Sequence, residues 1–148
     1  MMMKTLKTTV MALLAAATMN AQDLGPNEVP QSFTDGLKKM YPEARDIEWE
    51  RNGTDYKVEF HVGRMEHEIW FNKDGKHVRV EKEITTARMP AGLLDIIERD
   101  YPDHKIDSVE SIEKDGQTTY EVELEKSWNE EIKIVYTTTG KVLSVVRD

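Results

Sequence analysis

Hydrophobic and polar positions along the chain follow a helical period and then a strand period, and the whole pattern occurs a second time after sixty residues. In the first copy, apolar residues at helical spacing follow Val29-Pro30, and the residue before Pro42 is pushed out of the helical conformation. The positions that match at this offset are Pro30, Phe33, Leu37, Tyr41 and Pro42 in the first copy and Pro90, Leu93, Ile97, Tyr101 and Pro102 in the second. This coincidence indicates an internal duplication.

Each predicted helix is followed by stretches in which apolar and polar residues alternate with a period of two, which is typical of half-buried β-strands. A two-residue turn at Gly63-Arg64 sets Val62 opposite Met65. The pairs that follow are Phe60 with His67, Val58 with Ile69 and Tyr56 with Phe71 on one face, and His61 with Glu66 and Glu59 with Glu68 on the other. Gly75 in "NKDGK" and Gly140 in "TTTGK" are predicted to take left-handed conformations in equivalent turns.

These patterns predict an α+β fold of two tandem helix-plus-four-strand (αββββ) repeats, with an antiparallel sheet and the helices packed on one face. The first repeat spans residues 29–86 and the second spans residues 87–148, and we expect the two to form one compact domain. Residues 22–28 contain Gly25 and Pro26 and show no periodicity, so they are predicted to be a flexible lead-in.

The N-terminus carries Lys4 and Lys7 ahead of an apolar run from Val10 to Met19, and small or polar residues follow near Ala21. This pattern is typical of a secretory signal peptide over residues 1–21, and the apolar run is too short for a spanning helix. The chain has no cysteine, so a lipid-attachment cysteine behind the signal and a disulfide framework are both excluded. We therefore expect a soluble protein that is periplasmic or secreted.

Charge narrows the class of partner. The formal net charge is −8, and removal of the predicted signal, which has two lysines and no acidic residue, takes it to −10. Such a surface repels phosphate backbones and anionic lipid headgroups, which bind through positive patches. We therefore expect neither nucleic acid nor a membrane as a partner.

The sequence carries none of the common catalytic motifs. Its serines stand in no nucleophile-elbow pattern, and it has no phosphate-binding loop, dinucleotide fingerprint or His-Glu-x-x-His motif. Carboxylates are plentiful in an acidic chain, so their presence does not point to glycoside cleavage. The prediction is a protein that is not an enzyme and that needs no cofactor.

The sharpest local cluster is "FHVGRMEHE", Phe60 to Glu68. The predicted register brings His61, Glu66, Glu59 and Glu68 to one sheet face, where carboxylates and an imidazole could bind a divalent cation. The alternative is a solvated, partly salt-paired strand face without a metal ion.

The same face has features of a docking surface, because a tryptophan among polar residues is a typical anchor for a partner. The candidate partner-binding residues are Trp70, Glu59, Glu68, Lys57, Glu121, Glu123 and Trp128. For Trp70, packing along the sheet beneath the last strand is the alternative interpretation.

A family resemblance rests on three stretches of the first copy, "VPQSFTDGLKKMYPEARDIEWE", "YKVEF" and "IWFNKDGK", and on their second copies, "MPAGLLDIIERDYP", "YEVELE" and "YTTTGK". With these stretches the chain resembles the PepSY-like, beta-lactamase-inhibitor-like family of short exported proteins from Bacteroides-type bacteria. The resemblance runs from Val29 to Asp148. It implies two tandem helix-plus-four-strand units, as in the beta-lactamase inhibitor protein, whose sheet face away from the helices grips its target. The cysteines of that inhibitor are missing here, so the target does not transfer with the fold.

The leading hypothesis is an exported, non-enzymatic binding module that docks a protein or peptide partner on the exposed face of its sheet, with an inhibitor as one form of such a module. The alternative is a periplasmic sensor or carrier for a metal ion or a small ligand. An enzyme, such as a hydrolase, ranks below both because the residue sets for catalysis are missing. The sequence identifies neither the partner nor the oligomeric state.

Overall fold

The structure is a computed structural model that describes residues 21–148, so the predicted signal peptide lies outside the described residues apart from its last residue, Ala21. The chain divides into two compact units, a first unit that runs to Lys82 and a second unit over Glu83–Asp148. The elements are β1 (Ala21–Leu24), a 3-10 helix (Pro26–Glu28), α1 (Gln31–Met40), β2 (Arg45–Asn52), β3 (Asp55–Val62), β4 (Met65–Phe71), β5 (His77–Ile84), a 3-10 helix (Thr86–Arg88), α2 (Ala91–Asp100), β6 (Lys105–Lys114), β7 (Gln117–Ser127), β8 (Glu130–Thr137) and β9 (Val142–Arg147). Two helices and nine antiparallel strands in the described part confirm the α+β class.

The two helices begin and end where the prolines predict. Both follow a proline, and each ends at a tyrosine whose backbone N–H donates to the carbonyl four residues earlier, Tyr41 to Leu37 and Tyr101 to Ile97, at 2.8 Å. The next residue is again a proline, which has no N–H to continue the helix. The repeated Tyr-Pro pair is therefore a helix stop.

Strands β3 and β4 pair in the predicted register, with Val62 opposite Met65 and Glu59 opposite Glu68. The turn residue Gly63 has a φ of 63°, which a glycine adopts without the steric cost that a Cβ brings. Because the turn fixes the parity of the pairing, every side chain of the two strands lies on its predicted face.

The two turns that the sequence marks with glycine also confirm the prediction. Gly75 has a φ of 83° and Gly140 a φ of 89°. A Cβ built on Gly75 would lie 2.8 Å from the Phe33 ring, and a Cβ built on Gly140 would lie 2.2 Å from Ile96 Cδ1. Both turns therefore pass directly against a side chain of the helix in their own unit.

Each unit has its own hydrophobic core. In the first unit the Phe33 ring of α1 packs against Tyr56 and Phe71, with ring centroids 5.3 and 5.5 Å apart. The buried residues of this core are Val29, Phe33, Leu37, Trp49, Val58, Phe60, Ile69 and Phe71. The core of the second unit buries Met89, Leu93, Ile97, Val109, Val122, Leu124, Ile132, Ile134 and Tyr136. One face of each set of strands is thus apolar, and the alternate side chains are left for the other face.

Residues 22–28 differ from the predicted flexible lead-in, because they have regular structure. Strand β1 pairs with β2, and Leu24 packs against the first core. The Glu28 carboxylate then accepts a hydrogen bond from the Gly25 N–H at 2.9 Å in the 3-10 helix. A 3-10 helix also precedes α2, where Ile84 packs against the second core. Gly25 and Pro26 therefore lie in a regular connection between β1 and α1, instead of a flexible segment.

A bulge in β2 changes one predicted orientation. Arg45 pairs with His61 and Glu48 with Glu59, so β2 has one extra residue at this point, and Asp46 has a φ of 53°. The alternation with Trp49 predicts Ile47 on the inner face, whereas Ile47 is 38% exposed. Trp49, beyond the bulge, is buried as predicted.

Candidate functional site

The polar face of the first unit's sheet carries two rows of side chains that run across the strands. We call this surface the outer face. The acidic row is Glu48, Glu59, Glu68 and Glu81, one residue from each of β2 to β5, each directly opposite the next. The mixed row is Glu50, Lys57, Trp70 and Arg79, paired across the same strands.

Trp70 lies at the centre of the mixed row. Its ring has the Lys57 Nζ atom 5.5 Å from the centroid and the Arg79 Cζ atom at the same distance. Cations at this distance are attracted to the electron-rich face of an indole ring. The half-buried Trp70 thus has one cation from β3 and one from β5 beside its ring.

The two cations of the mixed row also bind the acidic row. Lys57 Nζ lies 2.8 Å from Glu59 Oε1 and 3.4 Å from Glu50 Oε2. Arg79 donates to Glu81 from its Nε atom at 2.8 Å and from a second guanidinium nitrogen. Two members of the acidic row, Glu59 and Glu81, are therefore paired with cations.

Glu68 stands between these two pairs. Burial raises the pKa of Glu68 to about 8, and hydrogen bonds with Glu81 and Glu59 add to this rise. Among residues 21–148, no cationic group lies within 4.0 Å of the Glu68 carboxyl group. The charge of Lys57 opposes the rise, and a pKa of about 8 favours the protonated form of Glu68 at neutral pH.

The pKa values of Glu59 and Lys57 shift in the directions that favour their charged forms. Burial alone would raise the pKa of Glu59, but its hydrogen bonds to Lys57 and Glu68 outweigh burial, so the pKa is lowered. For Lys57, burial would lower the pKa, and the hydrogen bond to Glu59 with the surrounding carboxylates raises it instead. The surroundings therefore favour the charged forms of Lys57 and Glu59 and the protonated form of Glu68.

Three of the four residues predicted to bind a metal ion come together. One oxygen each of Glu59, Glu66 and Glu68 lies within 4.8 Å of the others. His61 is not in this group, although it pairs with Glu66 in the backbone register, and its Nδ1 atom lies 3.9 Å from Asp46 Oδ2. Three carboxylates suit a hard divalent cation such as Ca²⁺, provided that the proton of Glu68 leaves.

The remaining candidates lie in the second unit. Glu121 and Glu123 follow each other on one face of β7, where Lys133 Nζ lies 3.7 Å from Glu121 and Ser108 Oγ donates to Glu123 at 3.1 Å. Trp128 is 80% exposed in the turn between β7 and β8. Glu121 and Glu123 thus form polar contacts within the second unit.

Arg79 and Glu81 complete the outer face, and sequence reasoning missed them. Their signal is the alternation in "HVRVEKE", where Val78 and Val80 alternate with Arg79 and Glu81. The register of β5 was the obstacle, because a bulge between Trp70 and Phe71 shifts the pairing with β5 by one residue.

Within residues 21–148, no helix has the length and apolar character that crossing a membrane requires.

Comparison with known proteins places the chain in a family. The sequence profile described as "Putative beta-lactamase-inhibitor-like, PepSY-like" matches residues 17–66 and again residues 54–144. A BLIP-like protein from Bacteroides fragilis is 25% identical, with a TM-score of 0.62 over 84% of this chain and 87% of that chain.

Two further solved structures share the fold. One is described among "putative periplasmic proteins" of Bacteroides eggerthii and is 23% identical, with a TM-score of 0.65 over 80% of this chain and 88% of that chain. The other is a DUF2874 family protein from Bacteroides uniformis, 20% identical, with a TM-score of 0.64 over 80% of this chain and 89% of that chain. A search of curated proteins finds no match. Because the two profile matches together span most of the sequence, the chain belongs to the PepSY-like, beta-lactamase-inhibitor-like family.

Proposed function

We propose that the protein is an exported, non-enzymatic binding module that uses the outer face of its first unit to dock a protein or peptide partner in an inhibitor-like manner. Family membership supports a binding role, as does the similarity to a protein described as BLIP-like. Export is inferred from the basic and apolar pattern of residues 1–21. A non-enzymatic role is inferred from the catalytic motifs that the sequence lacks.

We also propose an arrangement of helix and strands for each unit. Each unit is inferred to be one αββββ repeat with its helix on one face of the strands, so that the other face is open to a partner. The burial of Phe33 and Leu37 with Val58 and Phe60 supports this arrangement in the first unit. Leu93 and Ile97 support it in the second unit, where they are buried with Val122.

The observation that carries the proposal is Glu68 in the middle of the acidic row. Like charges directly opposite each other destabilise a sheet, so a face selected for stability alone would set a cation between Glu59 and Glu81. The first unit instead has a half-buried carboxyl there, whose pKa burial raises to about 8 although the charge of Lys57 opposes the rise. A lysine or arginine side chain from a partner would replace that proton and gain charge-assisted hydrogen bonds to several carboxylates.

Trp70 supplies the second requirement of a docking surface. It is large and stiff, and Lys57 and Arg79 hold it in place before a partner arrives. Little conformational entropy is then lost when it is covered. Tryptophan is also among the residues that most often dominate the binding energy of an interface. We therefore expect a partner with a cationic side chain beside an apolar one.

The experiment compares two matched triple variants on immobilised protein exposed to periplasmic extract of the native host. The first is Trp70→Ala, Glu59→Ala, Glu68→Ala on the outer face. The second is Val135→Ala, Glu123→Ala, Lys133→Ala, at the positions of the second unit that pair in the same way. We expect the first variant to lose the captured partner, identified by mass spectrometry, and the second to retain it. Equal capture by both variants would rule out the outer face.

A second candidate function is a sensor or carrier for a divalent metal ion, and the convergence of Glu59, Glu66 and Glu68 within 4.8 Å favours it. Titration calorimetry with calcium, manganese and zinc salts tests it, together with the shift of melting temperature that binding to the folded state produces. We expect heat that disappears in Glu66→Gln, Glu68→Gln. Absence of heat in the unchanged protein would remove this candidate.

A further inference from the structure

Strand β9 is unusual among the strands because it is exposed along its whole length. Among the described residues it pairs with β8 alone, so its other edge has no partner strand there. The apolar side chains Val142, Leu143, Val145 and Val146 are 45%, 54%, 42% and 42% exposed. An exposed strand edge with apolar side chains is a template for pairing with another chain.

The equivalent strand of the first unit, β5, is more polar than β9. Pairing with β4 makes Arg79, Glu81 and Lys82 of β5 the counterparts of Ser144, Val146 and Arg147 in β9. All three of these β5 residues are charged, whereas only Arg147 is charged among their counterparts in β9. Charged side chains on an edge strand oppose edge-to-edge association, and β9 has few of them. In β9 no charged residue occurs between Val142 and Val146, and neither strand contains proline.

The backbone of β9 determines which residues can accept a new strand. The Asp148 N–H donates to the Glu131 carbonyl at 2.9 Å, so the backbone of Asp148 faces β8. Because the direction alternates along an antiparallel strand, the N–H and C=O groups of Arg147 and Val145 face away from β8. A strand that pairs with β9 would bond to these two residues.

We propose that β9 is the interface of a homodimer, in which it pairs antiparallel with β9 of a second copy of this chain. Around a twofold axis at Val145, the two Val145 residues lie opposite each other, Ser144 lies opposite Val146, and Leu143 lies opposite Arg147 of the other copy. An antiparallel pair of identical strands is self-complementary, as a twofold interface requires.

The charge of the chain favours a second copy of it as the partner that pairs with β9. The chain without its predicted signal has a formal net charge of −10, so two copies can approach closely only where acidic side chains are few. Residues 141–147 contain Lys141 and Arg147 and no acidic residue. Antiparallel pairing also brings Asp148 of one copy to the end of β9 that carries Lys141 in the other, which places opposite charges together at both ends. A six-residue strand buries little surface, so the dimer exchanges with the monomer as concentration changes.

Sedimentation equilibrium of the purified protein, from low concentration to about 1 mM, tests the proposal. We expect the average mass to rise from that of the monomer towards twice that value. Leu143→Lys places a lysine opposite Arg147 of the other copy and should keep the protein monomeric over the whole range. The matched control is Val78→Lys at the equivalent position of β5, and it should dimerise as the unchanged protein does.

A charge reversal separates pairing from a general effect on folding. In the double variant Leu143→Lys, Arg147→Glu, opposite charges meet again across the twofold axis, and we expect the dimer to return. A constant monomer mass for the unchanged protein would overturn the proposal. So would a Leu143→Lys protein that dimerises normally, or a double variant that has the circular dichroism of the folded protein and stays monomeric.

Discussion

Each unit has one helix, antiparallel strands and a hydrophobic core of its own, but the polar faces of the two units differ. The acidic row of the first unit is Glu48, Glu59, Glu68 and Glu81, whereas the matching positions of the second unit are Ser108, Glu123, Lys133 and Val146. Lys133 stands where the first unit has Glu68. The second unit thus has the cation that a stable sheet face favours, and the first unit does not.

The mixed row differs in the same way. Glu50, Lys57, Trp70 and Arg79 of the first unit correspond to Glu110, Glu121, Val135 and Ser144 of the second. The ring held between two cations is replaced by a valine. A duplicated fold must keep its core and turns, because both determine stability, whereas a solvent-facing row is free to change. This divergence is the reason why we propose the outer face of the first unit, and not the corresponding face of the second unit, as the docking surface.

The largest losses of stability should come from core substitutions and should be similar in the two units. Leu37 and Ile97 are equivalent helix positions, 1% and 2% exposed. Either residue replaced by alanine should lower the free energy of unfolding by about 2–5 kcal/mol, because a buried cavity forms. Denaturant unfolding, followed by fluorescence and circular dichroism, measures both changes. A small loss at one position with a large loss at the other would break the equivalence of the cores.

Replacing the turn glycine should lower the free energy of unfolding slightly more in the first unit than in the second. Gly75→Ala sets a Cβ against the rigid Phe33 ring, and the positive φ adds strain, so we expect a loss of about 2–3 kcal/mol. Gly140→Ala meets only the terminal methyl of Ile96, which can rotate away, so about 1–2 kcal/mol should be lost. Thermal unfolding of both variants gives the comparison. A greater loss at Gly140 would show that the Ile96 side chain cannot move.

The two candidate tryptophans should behave differently. Trp70→Ala removes a half-buried ring and two contacts with cations, so we expect a loss of about 1–2 kcal/mol. Trp128→Ala should change the free energy of unfolding by less than about 0.5 kcal/mol, because that side chain is 80% exposed. Denaturant midpoints of the two variants decide the matter. Equal midpoints would contradict the packing of Trp70 described above.

The smallest effect concerns pH. The pKa of Glu68 is about 8 in the folded protein and 4.5 for an unperturbed glutamate, so between these values the folded state binds the extra proton, and stability should fall as pH rises. Glu68→Gln keeps a hydrogen-bond donor and has no charge. After allowance for solvent screening of this half-buried group, we expect it to stabilise the protein by about 1 kcal/mol at pH 8 and to have little effect at pH 5.

Glu48→Gln is the matched control for this pH experiment. Glu48 belongs to the same acidic row, but its side chain is exposed at the end of the row, where water and salt screen its charge. Melting temperatures over pH 5–8 should therefore keep their slope in Glu48→Gln and lose most of it in Glu68→Gln. An unchanged slope in Glu68→Gln would mean that the proton lies elsewhere.

The helices and the β3–β4 register could be predicted from the sequence because local signals determine them. The proline before and after each helix and the glycine at position 63 act within a few residues. Strand β1 could not be predicted in this way. Gly25 and Pro26 have the composition of a loop, and the pairing of Leu24 with Trp49 joins distant parts of the chain.

The candidate site could be predicted only in part. Glu59 and Glu68 follow from one hairpin, so their proximity was predictable. Glu81 comes from β5, after a turn and a bulge that hide its register. The proton on Glu68 depends on carboxylates from both neighbouring strands and on burial, and none of these is visible in a local pattern. The helices and strands of this chain follow from local periodicity. The protonation of the outer face depends instead on side chains from three strands, β3, β4 and β5.

The central claim is that the outer face of the first unit binds the partner and that the corresponding face of the second unit does not. The most direct measurement is the dissociation constant of the captured partner for the two triple variants, side by side. Trp70→Ala, Glu59→Ala, Glu68→Ala should weaken binding by about 100-fold or more, whereas Val135→Ala, Glu123→Ala, Lys133→Ala should stay within about threefold of the unchanged protein. Equal weakening by both variants, or none by the first, would contradict the claim.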